Sequence, residues 1–358
     1  MRVAILGAGS IAFGMAAFLG AAGHEPVLWS PSGRRTAALA GGADLTAVGQ
    51  VEFTGPVAVA KDAADAVAGA TAVLIAMPVN AHRMAMDAVA PHLTEGQTVI
   101  ISSHSSFGAL YLSRLLAERG VRVPIAVWGT TLVAGRQKSE TLVDVSTVRS
   151  KVDIATVPET AIDDAVDLCR TLFGDRFVPR DGLLAIALSN LNPQNHLAIA
   201  MFNLTRMETG ETWRQSEYVT PAVGRLIEAL DAERIAIADR FGLQVRTVFQ
   251  HFSLSFHVPE GSVHEMNQRM FERGDKGTGP ATMDSRYIFE DVPFGLVSTA
   301  LLGRISGVPA RLHEAGIALF SGAVGRDLAG DNDLLGPLGL EDLDVGSLER
   351  LCRRGFGG

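Results

Sequence analysis

Two stretches in the second half of the chain hold the residue types that move protons and grip carboxylates. They are Ser189-Asn190-Leu191-Asn192-Pro193-Gln194-Asn195-His196 and Asp284-Ser285-Arg286-Tyr287-Ile288-Phe289-Glu290-Asp291-Val292-Pro293. On a helix, Asn192 and His196 are four apart and share a face, so an amide and an imidazole would reach one pocket. Imidazole exchanges a proton near neutral pH, and a carboxylate partner fixes its tautomer and favours its charged form. Asp291 is the candidate partner, and the Arg286 fork suits a substrate carboxylate held by two parallel hydrogen bonds. Each residue also has an ordinary reading. His196 would serve as a satisfied core side chain, Asp291 as a cap for the helix near Pro293, and Arg286 as a surface partner of Asp284 or Glu290. Periodicity does not choose between these.

The start of the chain supplies what such chemistry needs beside it. Residues 3–6 read as an apolar strand, Gly7-Ala8-Gly9-Ser10-Ile11-Ala12 as a glycine turn, and the following residues as a helix. Gly7 permits the tight turn, Gly9 lets backbone approach a pyrophosphate, and Ala12 allows close helix–strand packing. The amides of Ser10 and Ile11 open the helix N-terminus that would face the anion. A membrane span or signal peptide is the competing reading of this uncharged stretch, but its five glycines would each weaken such a helix by about 1 kcal/mol relative to alanine.

An acidic residue ending the second strand would select NAD. Here the sequence is Trp29-Ser30-Pro31-Ser32-Gly33-Arg34-Arg35, with no carboxylate. Ser30, Ser32, Arg34 and Arg35 suit a 2′-phosphate, so the pattern favours NADP(H), with NAD(H) as the alternative. The competing view makes Ser32 a helix cap and leaves the arginines solvated.

The elements that must position these residues change character near Arg180. Before it, strands are expected at 3–6, 26–29, 57–60, 72–77, 98–102 and 124–128, with helices between them: an α/β Rossmann dinucleotide-binding domain over 1–180 with a mostly parallel sheet. Residues 141–148 and 151–157 are expected to pair as an antiparallel extension, and a helix at 160–173 with a strand at 177–179 closes the domain. Beyond it, 181–358 reads as an all-helical substrate-binding and catalytic domain. Residues 183–207 form one helix kinked near Pro193, Thr220 and Gly242 bound another, and further helices span 262–273, 293–305 and 310–324. Ligands of open α/β sheets sit at the carboxyl ends of the strands. That places Pro78, the Ser103–Ser106 segment and Gly129-Thr130-Thr131 around the nicotinamide, with substrate expected between the domains.

A chain of 358 residues, 47% hydrophobic, can bury two cores. Its net charge of −8 leaves no basic footprint, so nucleic acid and anionic membrane are not expected partners. The two cysteines, Cys169 and Cys352, lack metal-binding spacing. No metal site is therefore expected, and a reducing cytoplasm is the default.

The glycine turn, the Asn192-Pro-x-x-His196 element, Thr220-Pro221-Ala222-Val223-Gly224 followed by Asp231-Ala232-Glu233-Arg234, and Arg286-Tyr287-x-x-Glu290-Asp291-Val292-Pro293 together resemble the opine dehydrogenases. The resemblance covers nearly the whole chain. It implies reductive condensation of an α-keto acid with the amino group of an amino acid, giving a secondary-amine dicarboxylate. It also implies that His196 is the general acid/base, that Asp291 orients it, that Arg286 holds a substrate carboxylate and that Asn192 lines the reacting centre. Arg136 matches a family arginine and is assigned to substrate binding. Met201, Phe202, Trp213 and Phe294 lie near the motifs and suggest an apolar amino-acid pocket. A homodimer is expected on symmetry grounds alone. The nearest rival, a ketopantoate reductase or β-hydroxyacid dehydrogenase, would need a lysine in the helical domain, where only glycine-flanked Lys276 occurs. A non-catalytic NADP(H)-binding sensor is the rival of another class.

Overall fold

The computed structural model describes residues 1–358. They form two compact units, Met1–Ala187 with Leu348–Gly358, and Leu188–Ser347. The sequence pattern put the change at Arg180, but the helix Gly182–Ser189 begins within the first unit. The last helix, Val345–Arg354, sends Leu348–Gly358 back to it, where Arg353 pairs with Glu159 and Asp181.

The strands of the first unit are β1 (Arg2–Leu6), β2 (Glu25–Trp29), β3 (Leu45–Gly49), β4 (Phe53–Gly55), β5 (Ala58–Val59), β6 (Ala72–Ile75), β7 (Thr98–Ile101), β8 (Ile125–Trp128), β9 (Val133–Gln137), β10 (Leu142–Val148), β11 (Val152–Val157) and β12 (Phe177–Pro179). Eight of them make one sheet in the order β12-β11-β8-β7-β6-β1-β2-β5, parallel except where β11 runs antiparallel to β8. Its central strands are apolar on both faces, as a sheet covered on both sides requires.

The other four strands form a separate sheet, β4-β3-β10-β9. This corrects the expected pairing of 141–148 with 151–157. β10 lies parallel to β3 and antiparallel to β9, whereas β11 joins the large sheet beside β8. The two runs differ in what they must bury. β11 is buried at five of six positions and needs cover on both faces, while β10 is only alternately buried and needs one.

The small sheet explains the uncharged start of the chain. A helix apolar all round must be covered all round, and in Ser10–Ala21 the side chains of Phe13, Met15 and Leu19 are fully buried, worth about 2 kcal/mol each. The small sheet packs directly on this helix. A Cβ on Gly14 would lie 3.1 Å from Val133 Cγ2, and one on Gly20 would lie 2.6 Å from the Phe53 ring. No helix of the molecule is long and apolar enough to cross a membrane.

The second unit is helical, built from Asn192–Phe202, Leu204–Glu208, Pro221–Arg240, Val248–Phe256, Val263–Glu272, Val297–Ser306 and Arg311–Val324 with short connecting turns. The single helix expected over 183–207 is three: Gly182–Ser189, Asn192–Phe202 and Leu204–Glu208. Pro193 therefore starts a helix and does not kink one. In the first turn its missing N–H costs nothing, and the Asn190 side chain accepts the Asn192 N–H at the break. Thr220, Pro221 and Gly242 bound the helix Pro221–Arg240 as expected. Within it, buried Arg234 bonds Asp231 and the carbonyls of Leu188 and Arg246, and Asp231 also accepts the Val248 N–H. Every charge taken out of water there has partners.

Candidate active site

The helix carrying His196 and the segment carrying Asp291 meet because a proline ring packs against bare glycine backbone. Gly295 lies in the π-helical turn Val292–Leu296 just after Asp291, and a Cβ there would stand 2.2 Å from Pro193 Cγ. The turn is held from its other side by Asn332, whose side chain donates to the Pro293 carbonyl at 2.7 Å. Pro193 thus sits in the space a side chain at 295 would fill, and His196 arrives one turn further along its helix.

His196 Nδ1 lies 2.8 Å from Asp291 Oδ2, and both side chains are buried. An ionised carboxylate only accepts, so Nδ1 carries the proton and Nε2 is left to exchange one. Asp291 occupies the N-cap position of the following turn, yet its side chain makes no cap bond there. Arg286 Nε is 3.7 Å from the same carboxylate oxygen, and its side chain is half exposed. Desolvation lowers the Arg286 pKa, but the carboxylates of Asp291 and Glu290 outweigh it and leave it raised.

Tyr287 was not singled out from sequence, although it stands inside the motif. Its ring stacks on His196 with centroids 3.6 Å apart and planes 10° from parallel. Burial, with the Asp291 charge, pushes its phenol up to about 12, so it stays protonated and donates to Gln215 Oε1. The imidazole is therefore fixed at its edge by Asp291 and on its face by Tyr287. On the same helix, Gln194 meets His313 Nε2 at 3.1 Å, and His313 Nδ1 meets Glu233 at 2.8 Å. Glu233 also accepts the amide of Leu312, tying the helix Pro221–Arg240 to the start of Arg311–Val324.

A cavity of about 280 Å³ opens beside the imidazole. Asn192 and His196 both line it, as their spacing requires, together with Asn195, Gln215 and Ser216. The Asn195 Oδ1 and Ser216 Oγ atoms are buried without a partner, as expected of groups that await a ligand. The apolar wall is Val248, Phe252, Phe256 and Met270. This corrects the expected pocket residues. Phe202 is 55% exposed, Trp213 is buried with its indole N–H on the Pro280 carbonyl, Phe294 is core, and neither these nor Met201 lines the cavity. Proximity in sequence misled because the wall comes from helices some 50 to 70 residues further on.

In the first unit the glycine turn has the form a dinucleotide needs. Gly7 has φ +142°, and a Cβ there would meet the Ala76 carbonyl at 2.4 Å. At Gly9, which caps the helix Ser10–Ala21, a Cβ would meet nothing within 4 Å, so the space above the helix N-terminus is open. Ile11 and Ala12 follow in the first turn, and Pro78 immediately precedes the short turn Val79–Ala81 beyond β6. Ser30, just past β2, keeps a buried hydroxyl without a partner. Ser32 does not cap the next turn, whose cap is Gly33 in the left-handed region. With Ser10, Arg34 and Arg35, Ser32 lines a cavity of about 880 Å³ that also includes Arg136. The residues fit a nicotinamide dinucleotide, and Arg136 lines the same cavity as Ser10, Ser32, Arg34 and Arg35.

The loop after β7 carries Ser103, Ser106 and Phe107 at positive φ, strain that needs strong anchoring. Part of the anchor is buried His104, whose N–H meets the Trp128 carbonyl. Burial pushes His104 down to about 3, helped by neighbouring His82, which burial alone pushes down to about 4 against its bond to the Met77 carbonyl. Both rings are neutral when folded and take up protons on unfolding. Their contribution to stability is complete above pH 6.5 and is lost as pH falls from there toward 4 and 3, by about 2 kcal/mol for each ring at pH 5. Thermal melts between pH 7 and 5 should show a steep loss of Tm, and a His82→Gln/His104→Asn double variant should show a shallower one. Parallel curves would refute this.

A chain that joins a Rossmann-type sheet with an open glycine turn to a helical unit carrying a buried imidazole–carboxylate pair has the parts of an NAD(P)-dependent oxidoreductase. The comparisons agree. Residues 179–324 match the family described as NAD/NADP octopine/nopaline dehydrogenase, alpha-helical domain, and residues 2–105 match the NAD-dependent glycerol-3-phosphate dehydrogenase N-terminus. An opine dehydrogenase of Arthrobacter sp. (strain 1C) is 29% identical over 350 residues, 96% of this chain and 97% of its own. Among solved structures, octopine dehydrogenase with NADH and L-arginine has a TM-score of 0.81 at 18% identity, covering 97% of each chain. Yersinopine dehydrogenase with NADP⁺ has a TM-score of 0.71 at 15% identity, covering 94% of this chain and 97% of its own. Over nearly its whole length the chain is similar to the opine dehydrogenases, and its second half matches the helical domain of that family.

Proposed function

We propose that this protein condenses an α-keto acid with the amino group of an amino acid and reduces the resulting imine to a secondary-amine dicarboxylate. The observation that carries the reading is the His196–Asp291 pair, 2.8 Å apart, whose imidazole lines a cavity with two unpartnered polar atoms. Condensation joins amine nitrogen to carbonyl carbon and releases water, so two protons must leave nitrogen in turn and reach the departing oxygen, and once hydride reaches the C=N carbon the nitrogen must take up one proton. His196 Nε2 relays these protons one at a time, with Asp291 holding the ring and Tyr287 its plane. The nicotinamide cofactor, when bound, supplies the hydride that reduces the C=N carbon. Asn192 offers an amide to the reacting centre, and Arg286 takes a substrate carboxylate.

NADP(H) is the preferred cofactor in this reading. Cations and no acidic residue follow β2, where NAD selection would place a carboxylate. The two cysteines are buried and unpaired, in keeping with a reducing cytoplasm.

The test follows nicotinamide absorbance with pyruvate, oxaloacetate or 2-oxoglutarate, each alone and with a panel of amino acids. NADPH oxidation that requires both partners is the expected result. Oxidation with keto acid alone would make the protein a hydroxyacid-forming reductase, and binding without turnover would leave a sensor.

A further inference from the structure

The cationic cavity of the first unit has two walls from different sheets. One is the turn after β2 with Ser32, Arg34 and Arg35. The other is β9 and the turn that follows it, with Arg136 and Lys138. We infer that Arg136 is a specificity-determining residue for the phosphate on the adenosine ribose of the cofactor. This rests on the NADP(H) reading above and moves Arg136 away from the substrate role that its motif suggested.

The charges around the cavity carry the inference. Asp144 lies opposite Arg136 in the β9–β10 register, but its carboxylate is paired with Lys138 Nζ at 3.4 Å. Arg34, Arg35 and Arg136 make no ion pair in the molecule, and Glu140 is the one carboxylate in the lining. Three guanidinium groups around one space repel one another, and a phosphate dianion between them would relieve that repulsion while accepting forked hydrogen bonds. The backbone that carries Arg136 is held in place. Val133, on the same strand, packs on Gly14 of the helix whose first residue, Ser10, lines the cavity. The turn beyond is closed by the Lys138 N–H on the Leu142 carbonyl at 2.8 Å. A cation on a strand pinned to the dinucleotide-binding helix needs no backbone rearrangement to bind.

Calorimetric titration of the full-length protein with NADP⁺, NAD⁺, 2′,5′-ADP and 5′-AMP tests this without recourse to turnover. For Arg136→Ala, the affinity for NADP⁺ and 2′,5′-ADP should fall by about 10- to 100-fold, as loss of a charge-assisted bond to phosphate does. The affinity for NAD⁺ and 5′-AMP should change by less than about three-fold, since they lack that phosphate. Arg136→Lys should recover part of the loss, because the charge returns without the fork. If the parent favours NADP⁺ and Arg136→Ala keeps that preference, the role of Arg136 is overturned and the cofactor reading stands. If the variant weakens all four ligands alike, Arg136 contacts the pyrophosphate and the inference fails. If the parent itself favours NAD⁺, the cofactor reading falls and takes the inference with it. Unchanged melting temperatures would confirm that half-exposed β9 tolerates the substitutions.

Discussion

Replacing His196 with alanine is expected to lower kcat for the two-substrate reaction by about 10²- to 10⁴-fold, the usual contribution of a positioned acid/base. Cofactor affinity should stay close to the parent value, because the glycine turn and the cationic cavity lie wholly within the other compact unit. The imidazole is buried and stacked on Tyr287, so alanine also leaves a hole beside that ring. His196→Gln separates the two effects. It keeps much of the volume and a polar tip, yet provides no group that cycles its proton near neutral pH, so its kcat should fall as far while its melting temperature falls less. Stopped-flow turnover and calorimetric cofactor binding on both variants decide the matter, and a variant that turns over like the parent would exclude His196 from the chemistry.

Asp291→Asn should be nearly as damaging, with kcat lower by at least about 10²-fold, although Asp291 holds its partner and need not touch substrate. The carboxylate accepts the Nδ1 proton of His196 at 2.8 Å and stands 3.7 Å from Arg286 Nε. An asparagine can present its amide N–H to Nδ1, which would leave the proton on Nε2 and remove the site that must accept one. The same change frees Arg286 from its carboxylate, so keto-acid KM should shift as well. A loss confined to KM would mean that Asp291 serves Arg286 alone. A loss dominated by kcat supports its hold on the imidazole.

Much of this site could be read from residue types and spacing, and its failures have physical causes. Gly7, Gly9 and the apolar strand before them are local, because the turn, the open helix N-terminus and the close approach to Ala76 all follow from a few consecutive residues. The capping box of Ser262 and Glu265, which opens the helix expected at 262–273, is local in the same way. The small sheet was not legible. β3, β4 and β9 are short and half-exposed, and β10 could pair with whatever the chain folded beside it. The surroundings of Arg136 were illegible for the same reason, since its neighbours depend on which sheet its strand joins. Tyr287 was overlooked because stacking on a ring 91 residues away leaves no periodic trace in sequence.

From its order of residues alone, the chain determined the strands of its large sheet and the ends of several helices, that its first helix must be wholly covered, and which groups were available for proton transfer. Those are properties of near neighbours and of burial, and they need no knowledge of what packs against what. The tertiary structure alone decided what the polar side chains do. Asp291 holds His196 in place of capping a helix, and Arg286 turns to that same carboxylate. A buried charge must find a partner or stay in water, and which partner it finds depends on helices brought together by a proline seated over Gly295.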